Sequence, residues 1–228
     1  MKVGVLGSGQ LALMLAQASM DTNIEVVPIG HKILDKLDLY CVPIYGDMND
    51  PILLEKFLAQ VDVVTYETEN VSIDLLKIIR KTTQVWPSLN VLEVFQDRLL
   101  EKQYFERLSI PVATYHDISQ PDDIIKAAEH VGFPGILKTR RDGYDGKGQA
   151  IVNTSEELAA AWDKFEHIPC ILEGFVSFSG EVSVISVRGT DGKSIFYPIT
   201  ENIHCDGILR LSTKIGESDL QTVAESYA

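Results

Sequence analysis

Phe133 to Val152 reads FPGILKTRRDGYDGKGQAIV, and this stretch decides how the second half of the chain is organised. A short apolar run, Ile136 and Leu137, ends in Lys138. A loop follows with glycine at 143, 146 and 148, and with Tyr144, Asp145, Lys147 and Gln149 between them, before apolar residues resume at Ala150, Ile151 and Val152. The pattern predicts strand, glycine loop, strand. Glycine at such spacing lets the backbone take positive φ and approach a ligand, and successive amide N–H groups in such a loop cradle an anion. Lys138, Arg140, Arg141 and Lys147 add positive charge to a chain with 33 acidic and 20 basic residues and a formal charge of −13. A local positive focus of this kind suits a small phosphate, whereas a polyanion would need a broad basic surface. A solvated hairpin with a flexible tip fits the same spacing. The loop is not a Walker loop, since GxxxxGK followed by Ser or Thr is absent.

Working outward, Lys2 to Leu6 is apolar and runs into Gly7-Ser8-Gly9-Gln10-Leu11-Ala12 and then a helix-forming stretch. Strand, glycine turn and helix resemble the start of a dinucleotide-binding fold, in which a helix N-terminus faces a phosphate. The acidic residue that would hold a nicotinamide ribose is missing, because the second strand, Ile24 to Ile29, ends in Gly30-His31. Tight strand–helix packing explains the glycines equally well. Further strands are expected at Val42 to Tyr45 and Val61 to Tyr66, with helices entered at Asn49-Asp50-Pro51 and at Ser72. This alternation predicts a parallel sheet with helices on both faces, whose fourth strand delivers Glu67, Glu69 and Asn70 to the edge where ligands bind.

Val85-Trp86-Pro87 closes that unit, and Ser88 to Leu108 reads as helical, with Arg98 and Lys102 a turn apart. Beyond Ile110-Pro111 the pattern changes to an α+β lobe: a strand at Val112 to Tyr115, a helix at Pro121 to His130, the glycine hairpin, a helix at Ser155 to Phe165 and a strand at Cys170 to Phe175. A hairpin follows, with Val182 to Val187 returning at Ile195 to Tyr197 through Asp191-Gly192. A strand at Gly207 to Thr213 and a helix starting at Ser218-Asp219 complete the chain.

With 228 residues, 45% of them hydrophobic, the chain suits one to two domains. No apolar run reaches the ~18 residues of a membrane span, so a soluble, cytoplasmic protein is expected. Cys41, Cys170 and Cys205 are scattered and lack metal-ligand spacing, which predicts reduced, buried thiols. The acidic balance argues against nucleic-acid and anionic-membrane partners.

Seven segments in register carry a family resemblance: GSGQLA at 7–12, YETENV at 66–71, PS at 87–88, QDRLLEK at 96–102, LKTRRDGYDGKGQ at 137–149, EGFVSFSGEVSV at 173–184 and FYPITENIHCDGILR at 196–210. Together they resemble the ATP-grasp ligases of purine biosynthesis, the 5-(carboxyamino)imidazole ribonucleotide synthases. The resemblance implies an α/β protein in which a Rossmann-like, pre-ATP-grasp parallel sheet (1–95) and a helical linker (96–111) precede an α+β ATP-grasp fold. That fold has a small lobe (112–172) and an incomplete large lobe (173–228). The implied reaction joins bicarbonate to 5-aminoimidazole ribonucleotide with ATP and Mg2+, through carboxyphosphate, giving the carbamate, ADP and phosphate; a homodimer is implied too. Catalysis of that kind rests on positioning and charge neutralisation.

Carried over by position, Arg98 and Lys138 match cations on the ATP phosphates, and Gly143, Tyr144, Asp145, Gly146, Lys147, Gly148 and Gln149 match the loop over the triphosphate. Glu173, Gly174, Phe175 and Val176 match the segment that reads adenine, Glu181 the carboxylate on the ribose hydroxyls, and His204 a further nucleotide contact. Gln10, Leu11, Glu67 and Arg210 fall where the ribonucleotide approaches, as do Tyr144 and Asp145, which with Lys138 are the implied catalytic residues. Two departures stand out. Ala12 and Leu13 occupy the glycine and arginine positions of the usual GGGQLGRM turn, and the family's acidic metal ligands are expected beyond residue 228, since Glu217, Asp219 and Glu225 do not replace them by motif. Two readings follow: part of a longer ligase, or a shortened, noncatalytic nucleotide-binding or interaction module.

Overall fold

Along β1 (Lys2–Leu6) the side chains alternate between two buried faces, and this alternation builds the first half of the molecule. Val5 joins Ala12 and Ala16 of α1 (Gln10–Ser19), Val26 of β2 (Glu25–Gly30) and Leu37 of a short 3-10 turn (Asp35–Leu39). Leu6, Val27 and Ile29 face the other way, toward Leu54 and Phe57 of α2 (Pro51–Leu58), which follows β3 (Ile44–Tyr45). The same core takes in β4 (Val63–Tyr66), α3 (Ile73–Ile79), β5 (Gln84–Val85) and α4 (Leu89–Phe95). A Cβ on Gly4 would run into the Phe57 ring and sit 3.1 Å from Val61, so glycine there lets α2 lie against the sheet. The strands are parallel in the order β3-β2-β1-β4-β5, with helices on both faces. Asp50 and Ser72 cap α2 and α3 with side-chain oxygens, as those positions predict.

The computed structural model describes residues 1–143, 147–205, 207–216 and 218–228. The chain forms two compact units, Met1–Glu101 and Lys102–Ala228, and passes from one to the other within α5 (Arg98–Arg107). In the second unit β6 (Tyr115–Ile118), α6 (Asp123–Val131), β7 (Gly135–Thr139), β8 (Gln149–Val152), α7 (Ser155–Lys164) and β9 (Cys170–Gly174) form an antiparallel sheet in the order β6-β9-β7-β8. Leu137, Val152 and Leu172 pack on one side of it against Ala127 of α6 and Leu158 and Trp162 of α7. Next come β10 (Glu181–Ser183), β11 (Ser186–Arg188), β12 (Ser194–Phe196), β13 (Thr200–Cys205), β14 (Ile208–Lys214) and α8 (Asp219–Tyr227). They form a β10-β13-β14 sheet and a β11-β12 hairpin.

The structure departs from several expectations. The stretch expected to be helical from 88 to 108 is helical, but broken into two helices. Between them Gln96 turns its amide onto the carbonyls of Glu69 and Val71, at 2.5 and 2.6 Å, and Asp97 accepts from the Leu99 amide at 3.0 Å to start α5. The strand expected at 112–115 begins at Tyr115, because its register is set by β9, where Thr114 O takes the Gly174 amide at 2.8 Å. The strand expected at 182–187 splits, β10 pairing with β13 and β11 with β12. β13 itself carries no apolar period, its one buried residue being Asn202, which bonds Ser183 and Ser212 on the flanking strands.

None of the three cysteines is in a disulfide, but only Cys170 is fully buried; Cys41 is half-buried, and Cys205 is exposed, contrary to expectation. Burial, with a smaller push from Asp117, raises the Cys170 thiol from 9.0 to about 11. The unfolded chain therefore loses this proton first, and the stability held by the neutral thiol falls as pH climbs from 9 toward 11. Urea midpoints should drop across that range, and drop less in Cys170→Ala; identical slopes in the two proteins would contradict the assignment.

Candidate functional site

Pairing of β7 with β9 puts Ile136 opposite Glu173 and Lys138 opposite Ile171, so Lys138 and Glu173 lie diagonally on the sheet face that α6 and α7 leave uncovered. Glu173 is only 8% exposed. Its two oxygens hold separate cations: Oε2 accepts from Lys138 Nζ at 2.9 Å, and Oε1 faces Lys102 Nζ of α5 at 3.4 Å. A carboxylate so far from water requires partners, and here it has two. Further along the same face Arg140 pairs with Asp117 of β6 at 3.3 Å. Tyr115 donates its hydroxyl to Glu106 of α5, and burial followed by that bond pushes the phenol up to about 12. Lys102 was legible in the sequence only as a neighbour of Arg98; nothing local tied it to Glu173.

Lys138 adjoins the hairpin whose register brings it opposite Gln149. Gly148 has φ +67° and its carbonyl takes the Thr139 amide at 2.8 Å; a Cβ there would lie 2.6 Å from Thr139 Oγ1. Gly143 and Lys147 are described, and Tyr144, Asp145 and Gly146 between them lie outside the described residues. After Glu173, Gly174 and Phe175 donate their amides to Thr114 O and Pro134 O, and the side chains of Phe175 and Val176 are exposed. On the neighbouring sheet Glu181 and His204 meet at 3.3 Å, both partly exposed, while Arg210 is exposed on β14. Arg98 opens α5 and is half-buried. Among the described residues no group of three His, Cys, Asp or Glu side chains is placed to hold a metal ion.

In the first unit the glycine turn after β1 stands at the switch point of the parallel sheet, where β1 has β2 on one side and β4 on the other. Gly9 caps α1 without a side chain, and α1 has no acidic residue in its first turn. Glu67, one residue beyond β4, fills that role: its carboxylate accepts from Gly9 N at 3.0 and 3.2 Å and from Ala12 N at 2.8 Å. A Cβ on Gly9 would lie 2.7 Å from that carboxylate, so the glycines exist for the approach of Glu67. Two of the amides that the sequence offered to a phosphate, those of Gly9 and Ala12, are thus met by the protein's own carboxylate. Gln10 and Leu11 begin the helix with exposed side chains, and the departures at Ala12 and Leu13 are packing residues, one buried and one half-buried in the α1 core. Beside the turn is a cleft of about 300 Å³ lined by Gly7, His31, Asp47, Asn49, Thr68 and Asn70, among others.

Comparison with known proteins bears on both units. Residues 103–228 match the family model of the ATP-grasp domain, and residues 1–96 match that of the ribonucleotide synthetase preATP-grasp domain. An N5-carboxyaminoimidazole ribonucleotide synthase of Pseudomonas aeruginosa is 38% identical over 100% of this chain and 63% of its own length. The crystal structure of the N5-carboxyaminoimidazole ribonucleotide synthetase from Thermus thermophilus superposes with a TM-score of 0.90 at 38% identity, over 99% of this chain and 62% of that one. The N5-carboxyaminoimidazole synthetase from Staphylococcus aureus complexed with ADP gives 0.92 at 30% identity, over 99% and 61%. The chain therefore spans a little under two thirds of the length of the relatives it matches.

The capping role of Glu67 has a direct consequence. Glu67→Ala should lower unfolding free energy by about 1 to 2 kcal/mol, the range for a lost N-cap with a favourable helix-dipole charge, with Glu67→Gln losing less. Denaturant unfolding followed by circular dichroism measures it, and unchanged stability in Glu67→Ala would contradict the role.

Proposed function

The chain belongs to the ATP-grasp family, and on that premise we propose that it binds ATP on the polar face of the β6-β9-β7-β8 sheet and serves the carboxylation of 5-aminoimidazole ribonucleotide. The observation that carries the reading is the Lys138–Glu173–Lys102 cluster, beside a hairpin whose Gly148 has positive φ. A phosphate approaching this face meets an ammonium held at the sheet by a buried carboxylate, and that ammonium can neutralise its charge. The exposed Phe175 and Val176 next to Glu173 suit one side of an adenine ring, and the Glu181–His204 pair suits a ribose hydroxyl, carboxylate accepting and imidazole orienting. Tyr144 and Asp145 remain proposed as catalytic and Arg210 as a substrate contact. In the first unit the turn bearing Gln10 and Leu11, with its adjoining cleft, is proposed to meet the ribonucleotide.

The whole reaction proposed joins ATP, bicarbonate and 5-aminoimidazole ribonucleotide to give the carbamate, ADP and phosphate, as the names of the matched relatives suggest. Magnesium accompanies ATP in this family and screens charge on its phosphate oxygens. The described residues do not offer a metal centre of their own. A second reading is a noncatalytic nucleotide-binding or interaction module; release of ADP that requires both bicarbonate and aminoimidazole ribonucleotide separates the two. A cytoplasmic, homodimeric protein is proposed with the first reading; no described helix is long and apolar enough to cross a membrane.

Lys138→Ala tests the binding site itself. Loss of a charge-assisted phosphate contact should weaken ATP binding about 10- to 100-fold by calorimetry. Thermal stability should hardly change, because Lys102 still neutralises Glu173. Unaltered ATP affinity would remove the phosphate reading of this face.

A further inference from the structure

Glu173 poses a problem for any phosphate site built on Lys138. The best-placed ammonium on this sheet face is already bonded, at 2.9 Å, to a side chain with 11% of its area exposed. A triphosphate drawing Lys138 away would leave a buried carboxylate with one cation fewer, and an uncompensated charge in such a place is costly. Lys102 answers this. Its ammonium, on a side chain 16% exposed, sits on the other oxygen of the same carboxylate at 3.4 Å, reaching it from α5 rather than from the sheet.

We propose that Lys102 is a positioning residue that holds the Glu173 charge so that Lys138 can leave it for the nucleotide phosphates. The inference rests on the phosphate reading of the sheet face and adds an exchange to it. Without nucleotide, Glu173 is shared by two lysines; with nucleotide, Lys138 turns to a phosphate oxygen and Lys102 keeps the carboxylate. The exchange moves no proton and breaks no covalent bond. Glu173 keeps a partner throughout, and Lys138 stays ordered in both arrangements. Placement on opposite oxygens makes the exchange possible, because the departure of one lysine does not disturb the bond of the other.

Calorimetric titration of the 228-residue chain with ATP plus magnesium, and separately with adenosine, tests this in Lys102→Met, Lys102→Arg, Lys138→Ala, Glu173→Gln and the double variant Lys102→Met/Glu173→Gln. Lys102→Met should weaken ATP about tenfold, the scale of one charge-assisted contact, and leave adenosine binding unchanged. Lys102→Arg should keep most of the affinity. The double variant should recover to within about threefold of Glu173→Gln alone, because an uncharged amide no longer holds Lys138 back and coupled residues do not add. Wild-type ATP affinity in Lys102→Met, an equal loss for adenosine, or a double variant no better than Lys102→Met would each overturn the inference. If Lys138→Ala binds ATP as the wild type does, the underlying phosphate reading falls and takes the inference with it. A loss in Lys138→Ala without one in Lys102→Met removes the inference alone.

Discussion

A buried carboxylate has to be paired, and in the second unit of this protein that requirement falls on Glu173. The strand that carries it, β9, is the most buried of its sheet, with Cys170, Ile171 and Leu172 fully enclosed just before it. Such a strand can end in an ionised side chain only if cations are brought to it. Antiparallel register delivers Lys138 from β7, and α5 delivers Lys102. The polar face of the sheet is organised around that need, while its opposite face is an ordinary apolar core under α6 and α7. The result is an ordered ammonium on the sheet face opposite α6 and α7.

The first unit meets a related constraint in another way. A helix beginning at a bare glycine leaves amides without partners, and α1 supplies no acidic side chain of its own. Glu67 arrives from the end of the adjacent parallel strand and binds those of Gly9 and Ala12, and Gly7 and Gly9 leave room for it. A glycine turn that looks in sequence like a phosphate grip is thus, in the structure, a grip on the protein's own carboxylate. Both motifs are carboxylates held by donors from elsewhere in the chain, yet they differ in consequence. Backbone amides hold Glu67 in a fixed place, whereas flexible lysine side chains hold Glu173 and leave room for exchange.

Much of the architecture was legible because it is local. The strand–turn–helix of residues 2–19, the capped helices at Asp50 and Ser72, and the glycine hairpin between Lys138 and Gln149 each follow from apolar period and turn chemistry within a few residues. What could not be read depends on distant partners. The break at Gln96 is set by carbonyls of Glu69 and Val71, the start of β6 by β9, and β13 by the polar bonds of Asn202 rather than by any apolar alternation. The site follows the same division. Lys138 and Glu173 stood out in the sequence by their place in motifs, but their contact, and the presence of Lys102 beside them, is a product of sheet register. Likewise Glu67 was visible as a polar residue at a strand end, and its capping of α1 was not. The comparisons supply the family independently of these contacts, through matches that run along nearly the whole chain.

All that is proposed for the second unit requires the sheet face bearing Glu173 to receive the phosphates of a nucleotide. A crystal structure of the chain with a non-hydrolysable ATP analogue addresses it most directly. Lys138 Nζ should lie within hydrogen-bond distance of a phosphate oxygen, with Lys102 still on the Glu173 carboxylate. An analogue bound away from this face, with Lys138 still on Glu173 as in its absence, would contradict it.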